Sequence, residues 1–488
     1  MFLHSSTPST MILTRFYDDQ LAQASFLIGC SHSGEALVID PNRRVEQYIA
    51  AADEAGLRLT GVAETHIHAD FVSGARELAA RTGAKLHLSD EGGPEWRYGY
   101  AAGARAALLK EGSRIDVGRV RLEVMHTPGH TPEHVSYLIT DTAGADGPIG
   151  IITGDFVFAG DVGRPDLLEK AVGVANAADG SARVLFRSLQ RFRELPEHLQ
   201  VWPGHGAGSA CGKGMSAMPQ TTVGYELRYN WAFGVTDEDE FVRQVLMGQP
   251  EPPRYFAEMK RINRDGPELL NGFRSPGRLP DQRLKALLNS GARVVDLRTA
   301  NAFAAAHIPG TINIPFNRSF TTWAGSLLPF DREFYLIADE RGTALVEQAA
   351  RDLMMIGLEK IGGAFGPEVL ELWESQEGPL ESARQLSLEE LAARTGGTVT
   401  VLDVRSRAEW EAGHLAAAQH IPLGDLPEQL ARFAPDRMLV VHCQGGGRSA
   451  IAVSLLQAAG HRAVANLPGG FGAWSAAGLP VERNGDGA

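Results

Sequence analysis

The feature that most constrains the fold of this chain is an internal repeat in its second half. The segment VVDLRTANAFAAAHIPGTINIP (294–315) matches VLDVRSRAEWEAGHLAAAQHIP (401–422) along its whole length, so that Asp296 pairs with Asp403 and His307 with His414. Each copy alternates strand-like and helix-like stretches, which is typical of a parallel sheet with helices on both faces. The sequence therefore predicts a duplicated small α/β domain.

The chain is too long for one hydrophobic core. At about 150 residues per domain, its 488 residues correspond to roughly three domains. We predict a metal-binding domain over 11–247 and two repeat domains over 260–378 and 384–484. The stretch 248–280 is rich in Pro, Gly and charge and predicts a linker.

Composition excludes several classes of partner. With 46 Lys and Arg against 59 Asp and Glu, the net charge of −13 argues against nucleic acid and anionic membranes. No apolar run reaches the roughly 18 residues of a membrane helix, and no signal peptide is evident. Three cysteines fit a reducing compartment, so we expect a cytoplasmic protein. Of these, Cys30 and Cys211 have no partner motif and are interpreted as incidental thiols.

The first half of the chain repeatedly ends an apolar strand on a histidine or an aspartate. SFLIGC, EALVID, LTGVAETHIH, VRLEVMHTPGH, VSYLIT and IGIITGD each predict a strand. Ligands placed on loops at strand ends are a common way for a scaffold to build a site. The candidate metal ligands are His66, His68, Asp70, His126, His130, His134, Asp155 and His205.

The motifs THIHAD, TPGHT, TGD and PGHG, in this order, resemble the metallo-β-lactamase fold, an αβ/βα sandwich with metals at one edge. Within that superfamily the chain looks like the persulfide dioxygenases, and GRPDL (163–167) and TTVGYELRYN (221–230) also resemble that branch. The resemblance implies one Fe(II) per chain, held by His66, His130 and Asp155.

The ligand types agree with this expectation. Two imidazoles and one carboxylate leave three positions of an octahedron open, which suits Fe(II) binding a substrate and O₂ together. A dinuclear zinc centre would need a second metal held by Asp70, residue 71, His205 and a bridging Asp155. Because Phe71 offers no ligand atom, the sequence favours mononuclear iron over zinc.

Several other polar residues of this domain are predicted to support the metal ligands or to bind the substrate. We expect His68, Asp70 and His205 to orient the ligands through hydrogen bonds. Tyr225 and Arg228 are candidate anchors for the carboxylates of a thiol carrier such as glutathione, although a plain surface position explains Arg228 equally well. His126 is interpreted as structural. His134 is either structural or faces the metal pocket, and the sequence leaves both possibilities open.

In the second repeat, MLVVHCQGGGRSAIAVSLL (438–456) predicts a strand, a tight glycine loop and a helix. Backbone N–H groups, the positive end of the helix and Arg448 would all favour an anionic sulfur on Cys443. This region resembles the rhodaneses, sulfurtransferases whose cysteine carries a persulfide. The resemblance makes Cys443 and Arg448 catalytic. The other residues of the persulfide loop are Gln444, Gly445, Gly446, Gly447 and Ser449.

The first repeat departs from this pattern. By sequence alignment Asp339 and Glu340 stand where Cys443 and Gln444 stand, in a loop about two residues shorter. An acidic loop without a thiol would repel a persulfide anion. We therefore predict an inactive rhodanese domain with a packing role.

Together these resemblances predict an enzyme that oxidises a thiol persulfide with O₂ to sulfite and thiol, coupled to sulfur transfer by Cys443 that makes or uses thiosulfate. The expected partners are a small-molecule thiol persulfide, O₂, sulfite and thiosulfate, and assembly into a homo-oligomer stays open. Two alternatives remain. One is a zinc thioester hydrolase of the glyoxalase II type; the other is a sulfur carrier with a vestigial metal domain.

Overall fold

The computed structural model describes residues 10–167, 169, 177–394, 399–416, 418–435 and 437–483. These residues divide into two compact units. The first runs up to Phe273 and includes residues 355–357, and the second holds the other residues from Arg274 onward. Both copies of the internal repeat lie in the second unit.

The first unit contains two six-stranded sheets and a short hairpin. Its strands are β1 (Met11–Asp18), β2 (Gln23–Cys30), β3 (Glu35–Ile39), β4 (Arg58–Ala63), β5 (Lys85–Ser89), β6 (Ala107–Leu109), β7 (Arg114–Val117), β8 (Val120–His126), β9 (Val135–Asp141), β10 (Gly150–Gly154), β11 (Val157–Phe158), β12 (Asp161–Val162), β13 (Gln200–Pro203) and β14 (Thr221–Thr222). One sheet has the order β1-β2-β3-β4-β5-β6 and the other β14-β13-β10-β9-β8-β7, while β11 and β12 form the hairpin. The strands predicted from the apolar runs are therefore present.

Helices cover the outer faces of these sheets. They are α1 (Glu46–Glu54), α2 (Ala75–Thr82), α3 (Ala177–Arg193), α4 (Val223–Tyr229), α5 (Trp231–Gly234), α6 (Glu238–Leu246) and α7 (Phe256–Asp265), with a 3₁₀ turn at Pro94–Trp96.

Strand β2 shows how the sheets pack. Successive side chains of a strand point to opposite faces. Phe26 and Ile28 join a core shared with strands β7 to β10 of the other sheet, whereas Leu27 joins a core built with α1 and α2. A third core packs α3 and α6 against the outer face of the second sheet. The predicted αβ/βα layer order is confirmed.

Several strands of this sandwich end at the same edge. Strands β10 and β13 are parallel neighbours, so the residues after Gly154 and Pro203 leave the sheet side by side. In the other sheet, β4 ends at Ala63 just before the histidine-rich segment. The sheet order thus brings distant parts of the sequence to one place.

The second unit contains two parallel sheets, one from each repeat. Its strands are β15 (Arg293–Asp296), β16 (Ile312–Asn313), β17 (Phe334–Ile337), β18 (Ile361–Phe365), β19 (Arg384–Gln385), β20 (Thr400–Asp403), β21 (His414–Leu415), β22 (Gln419–His420), β23 (Leu439–His442), β24 (Val464–Asn466) and β25 (Val481–Glu482). The sheet orders are β16-β15-β17-β18 and β19-β24-β23-β20-β22, and β21 pairs with β25. The predicted parallel α/β repeats are confirmed.

The helices of this unit alternate with the strands. They are α8 (Arg283–Asn289), α9 (Ala300–Ala305), α10 (Phe320–Leu327), α11 (Thr343–Met355), α12 (Val369–Gln376), α13 (Leu388–Ala392), α14 (Arg407–Ala412), α15 (Gly447–Ala458) and α16 (Gly470–Ala476), with 3₁₀ turns at Leu423–Glu428 and Leu430–Arg432.

Helix α15 is buried between the two repeats. It packs on β23 and β24 of its own sheet and on β16 of the first repeat, where the backbone N–H of Asn313 donates to Ser454 Oγ at 2.9 Å. Its residues 451–456 are all buried. A helix enclosed in this way needs small or apolar residues on all sides, and the buried segment IAVSLL contains a single polar residue, Ser454, which is hydrogen-bonded. The first repeat therefore covers the helix that follows the Cys443 loop.

The predicted linker over 248–280 is partly wrong, because it contains α7. In this polar helix Phe256, Met259 and Asn263 are buried, at a spacing that aligns them on one helix face. The amide nitrogen of Asn263 donates to the carbonyls of His68 and Phe71 at 2.8 and 2.7 Å. Flanking Pro and Gly residues concealed this short periodic pattern.

Among the residues that the structure describes, no helix has both the length and the apolar character needed to cross a membrane.

The contacts of Asn263 predict a large effect of its removal. Its Oδ1 also accepts from the Ser73 N–H at 2.8 Å, so Asn263→Ala leaves three buried backbone groups without partners. We expect the free energy of unfolding to fall by about 3 kcal/mol in urea titrations. The control is Arg261→Ala on the same helix, whose exposed pair with Glu258 is worth less than about 1 kcal/mol. Equal effects of the two substitutions would contradict this account.

Candidate metal centre and thiol loop

Three of the predicted ligands converge at the shared edge of the sandwich. His66 follows β4, His130 lies between β8 and β9, and Asp155 follows β10. One donor atom of each lies within 4.8 Å of the others. The Nε2 atoms of His130 and His66 are 3.4 and 3.9 Å from the same Asp155 oxygen, and all three side chains are buried.

Hydrogen bonds behind His66 leave its Nε2 with a free lone pair. The N–H and hydroxyl of Thr65 donate to the Asp40 carboxylate at 2.6 and 2.8 Å. Because the hydroxyl proton is used, Thr65 Oγ1 accepts from His66 Nδ1 at 2.9 Å. Burial and the neighbouring histidines hold the pKa of His66 well below its usual range. His66 is thus a neutral imidazole in the tautomer that binds metal.

His130 is fixed in the same way by the GRPDL segment. Its Nδ1 donates to the carbonyl of Arg164 at 2.9 Å, since a carbonyl only accepts. The guanidinium of Arg164 is fully buried, pairs with Asp166 at 2.7 and 2.8 Å and donates to the Ala210 carbonyl at 3.1 Å. The motif therefore positions a ligand and does not contribute one.

Asp155 lies close to two glycines at positions where a Cβ atom would collide with neighbouring atoms. Gly154 has a φ of +50°, and a Cβ there would lie 2.6 Å from Thr65 Oγ1. A Cβ on Gly163 would lie 1.9 Å from the Asp155 carbonyl oxygen. Burial raises the pKa of Asp155, but the surrounding histidines, His205 foremost, lower it overall. The carboxylate is therefore charged although it is buried.

The arrangement of these atoms fits a divalent cation. Among the described residues, the buried His66 Nε2 and both oxygens of Asp155 have no hydrogen-bond partner. A buried carboxylate without partners costs several kcal/mol, and a metal ion bound between these atoms removes that cost. Two imidazole nitrogens and one carboxylate suit either Fe(II) with open positions or Zn²⁺ with a water.

His68 faces away from this cluster. Its Nε2 lies 3.2 Å from carboxylate oxygens of both Asp40 and Glu64. Burial lowers the pKa of His68, but these two carboxylates raise it well above its usual range. A charged His68 thus holds Asp40, which in turn holds Thr65 and His66. This arrangement agrees with the orienting role expected from the sequence.

Asp70 and His205 form a second group beside the first. His205 Nδ1 donates to the Ala22 carbonyl at 3.0 Å, and its Nε2 lies 3.3 Å from oxygens of both Asp70 and Asp155. Both Asp70 oxygens are buried without hydrogen-bond partners among the described residues. The atoms of these two residues are therefore placed so that they could hold a cation themselves, in addition to the orienting role predicted from the sequence.

Cys211 completes this second group, and the sequence missed it. One donor atom each of Asp70, His205 and Cys211 lies within 4.8 Å of the others. Burial, followed by Asp155 and Asp70, raises the pKa of the Cys211 thiol well above its usual range. The available signal was its place shortly after His205 on the same glycine-rich loop. The sequence interpreted Cys211 as an incidental thiol, whereas the structure places its sulfur beside two other potential metal donors.

Phe71, His134 and His126 complete the surroundings. The Phe71 ring is buried and packs on His68 with ring centroids 4.4 Å apart. His134 Nε2 accepts from the Asp155 N–H at 3.0 Å, so His134 orients the aspartate backbone. His126 Nε2 donates to the Pro132 carbonyl at 2.8 Å, in agreement with a structural role.

The structure does not bring the tentative substrate anchors to these donors. Tyr225 lies on α4, is 56% exposed and packs on Tyr229 with ring centroids 4.9 Å apart. Arg228, on the same helix, has no described contact with the metal donors. A role for either residue in carrier binding stays a prediction.

In the second unit, the loop from Cys443 to Ser449 surrounds a thiol. The Gly446 N–H donates to Cys443 Sγ at 3.1 Å, and the Ser449 hydroxyl does so at 3.6 Å. Gly446 has a φ of +99°, a conformation that favours glycine. Cys443 itself is 2% exposed. Gln444, Gly445 and Gly447 form the exposed rim of the loop.

Arg448 is shared between this thiol and a carboxylate. Its guanidinium donates to both oxygens of Glu409 at 2.6 and 2.7 Å. Burial lowers the pKa of Arg448, but Glu409 and, to a smaller degree, Cys443 raise it overall. The sequence predicted that the charge of Arg448 favours an anionic sulfur on Cys443, but its partner Glu409 was missed because it lies in a different segment.

The strand register corrects the predicted alignment of the first repeat. Asp296 pairs with Ile337 and Asp403 with His442, so Ala338, not Asp339, holds the position of Cys443. Residues 338–342 separate strand and helix there, against 443–446 in the second repeat, so the loop is not shorter. The conclusion that this position has no thiol is unchanged.

Comparisons with known proteins match both halves of the chain. A family model for the metallo-beta-lactamase superfamily matches residues 18–205, and one for the rhodanese-like domain matches 281–362 and 387–477. A crystal structure of a metallo-beta-lactamase from Staphylococcus aureus is 41% identical, with a TM-score of 0.65. That match covers 73% of this chain and 99% of the other.

Curated relatives match over less than half of this chain. A mitochondrial persulfide dioxygenase of Bos taurus is 28% identical over 41% of this chain and 71% of its own length. A hydroxyacylglutathione hydrolase of Rhodospirillum rubrum is 29% identical over 37% of this chain and 60% of its own length. These identities are too similar to decide between oxygenase and hydrolase.

The hydrogen bond from His66 to Thr65 predicts an effect on metal affinity. Thr65→Val keeps the shape of the side chain but removes the hydroxyl that fixes the His66 tautomer. We expect the affinity for the metal to fall about 10- to 100-fold in chelator competition. The control is Thr60→Val, on the preceding strand β4 and outside the cluster, which should bind metal as the wild type does. A wild-type affinity for Thr65→Val would contradict the role of the hydroxyl.

Proposed function

This chain belongs to the metallo-beta-lactamase superfamily and carries rhodanese-like domains, and on this basis we propose that it is a persulfide dioxygenase with sulfurtransferase activity. The observation that carries the proposal is the combination, in one chain, of an oxygen-and-nitrogen metal cluster with a thiol in a cradle of N–H groups. Both sites suit sulfur chemistry, and the similarity to a persulfide dioxygenase supports the reaction proposed for the metal cluster.

The proposed reaction of the first unit converts R–S–SH, O₂ and H₂O into R–SH, sulfite and two protons. Iron(II), when bound by His66, His130 and Asp155, supplies open positions for the sulfur and O₂ and the electrons that activate O₂. The protein contributes neutral imidazoles and a charged carboxylate, all of them buried. Fixing these groups in advance lowers the cost of reaching the reactive arrangement.

The proposed reaction of the second repeat moves a sulfane sulfur. The Cys443 thiolate attacks the outer sulfur of R–S–SH, R–S⁻ leaves, and Cys443 becomes a persulfide. Sulfite then attacks the outer sulfur of that persulfide, which restores the thiolate and releases thiosulfate and a proton. The N–H of Gly446 and the hydroxyl of Ser449 stabilise the anionic sulfur in both steps.

The first repeat is proposed to be catalytically inactive and structural. Ala338 replaces the thiol, and Asp339 is paired with Arg341 at 2.7 Å. The first repeat nevertheless buries one face of α15, which presents the Cys443 loop. Its role in this proposal is to hold that helix in place.

A second candidate function is supported by the Cys211 group. If Asp70, His205 and Cys211 hold a second metal, the pocket can bind two zinc ions and activate a water for thioester hydrolysis. The similarity to a hydroxyacylglutathione hydrolase favours the same alternative. The lack of a ligand atom at Phe71 is therefore a weaker argument against a second metal than it is from the sequence alone, because Cys211 offers another donor.

Oxygen consumption with glutathione persulfide tests the proposal. We expect Asp155→Asn to lower the rate at least about 100-fold, because it removes the anionic ligand. Cys443→Ser should keep the oxygen consumption and lose thiosulfate formation from persulfide and sulfite. The control Cys30→Ser should retain both.

Two results would contradict the proposal. Oxygen consumption that survives Asp155→Asn would remove the metal assignment. Hydrolysis of a glutathione thioester, with no oxygen consumption from the persulfide, would establish the zinc alternative.

A further inference from the structure

The charge of the Cys443 loop is set by a residue outside the loop. Arg448 supplies the positive charge of the loop and interacts electrostatically with the Cys443 side chain. Its two outer nitrogens are both used by Glu409 in a bidentate pair. The positive charge that the loop sequence supplies is therefore compensated by a carboxylate from α14.

Glu409 is itself firmly positioned. It is the third residue of α14 and forms a capping box with Ser406, whose N–H and hydroxyl donate to it at 3.1 and 3.0 Å. Burial raises the pKa of Glu409, but Arg448 and Ser406 lower it to about 2. The carboxylate is thus ionised at any pH at which the protein works.

A count of charges shows what this pair does to a substrate. Arg448 and Glu409 cancel, so the thiolate form of the site carries a net negative charge, offset by N–H groups and the N-terminus of α15. A dianion entering this site meets more repulsion than a monoanion or a neutral molecule. In the first repeat, Ala302 aligns with Glu409 and Ala338 with Cys443, so the carboxylate accompanies the thiol.

We propose that Glu409 is a specificity-determining residue that makes Cys443 accept sulfur from persulfides, which are neutral or singly charged at the reacting sulfur, in preference to dianionic thiosulfate. This inference rests on the proposed sulfurtransferase function and gives it a direction. Cys443 takes sulfur from a thiol persulfide and gives it to sulfite. With thiosulfate as donor, the thiolate would attack the outer sulfur and release sulfite against the same negative field.

The test measures how fast Cys443 becomes persulfidated. Wild type and Glu409→Gln are mixed without O₂ with either thiosulfate or cysteine persulfide, and peptide mass spectrometry follows the modification. Gln retains the capping box, so the helix should form as before. We expect the rate constant with thiosulfate, relative to that with cysteine persulfide, to rise about tenfold in Glu409→Gln.

Two further variants separate charge from structure. Glu409→Asp keeps the negative charge and should keep a donor ratio near that of the wild type. Glu411→Gln removes an exposed carboxylate from the same helix and should leave the ratio unchanged.

The outcomes distinguish the two levels of the proposal. If wild-type Cys443 accepts sulfur from neither donor, the sulfurtransferase function fails and the inference fails with it. If the wild type accepts sulfur but Glu409→Gln leaves the donor ratio unchanged, or slows both donors equally, only the role of Glu409 is overturned.

Discussion

Asp155 is a buried carboxylate that three imidazoles approach with their Nε2 atoms. His130 and His66 face one of its oxygens and His205 the other. In each histidine Nδ1 is used in a hydrogen bond on the far side, so Nε2 is the ring nitrogen directed at Asp155. The lone pairs of the imidazole nitrogens and the negative charge of Asp155 repel one another at this distance, and a cation bound between them removes the repulsion. The surrounding loops are built to keep this arrangement.

The same principle organises the supports of the cluster. Gly154 and Gly163 allow the backbone to pass where a Cβ would collide with Thr65 or Asp155. The buried Arg164 and the protonated His68 are each paired with carboxylates, so the charges next to the metal ligands are balanced locally. Helix α7 adds Asn263, which fixes the backbone of the ligand loop. Rigidity around a metal site preserves the ligand geometry that its chemistry requires.

The persulfide loop uses weaker forces for a similar purpose. The thiol is held by backbone N–H groups and a hydroxyl, and its neighbouring cation is balanced by Glu409. Whereas the metal cluster concentrates negative charge and lone pairs for a cation, this loop provides dipoles for an anion of limited charge. The two sites thus have complementary electrostatics.

The sequence predicted those features that depend on local patterns. His66, His130 and Asp155 were among the eight candidates found at the ends of apolar strands, and the family resemblance singled them out. The thiol loop was found because glycines and Arg448 lie close to Cys443 in sequence. Cys211, Asn263 and Glu409 were missed, since each acts through the fold and not through its neighbours in sequence. The Ala338 correction has the same origin, because only the strand register decides which residue of the first repeat matches Cys443.

The central claim is that the cluster around Asp155 holds a single iron ion. The most direct test is elemental analysis of enzyme purified without O₂ and active with persulfide, with the metal counted per chain. The account predicts about one iron per chain and its loss in the Asp155→Asn variant. Two zinc ions per active chain, held with the help of Asp70, His205 and Cys211, would contradict it.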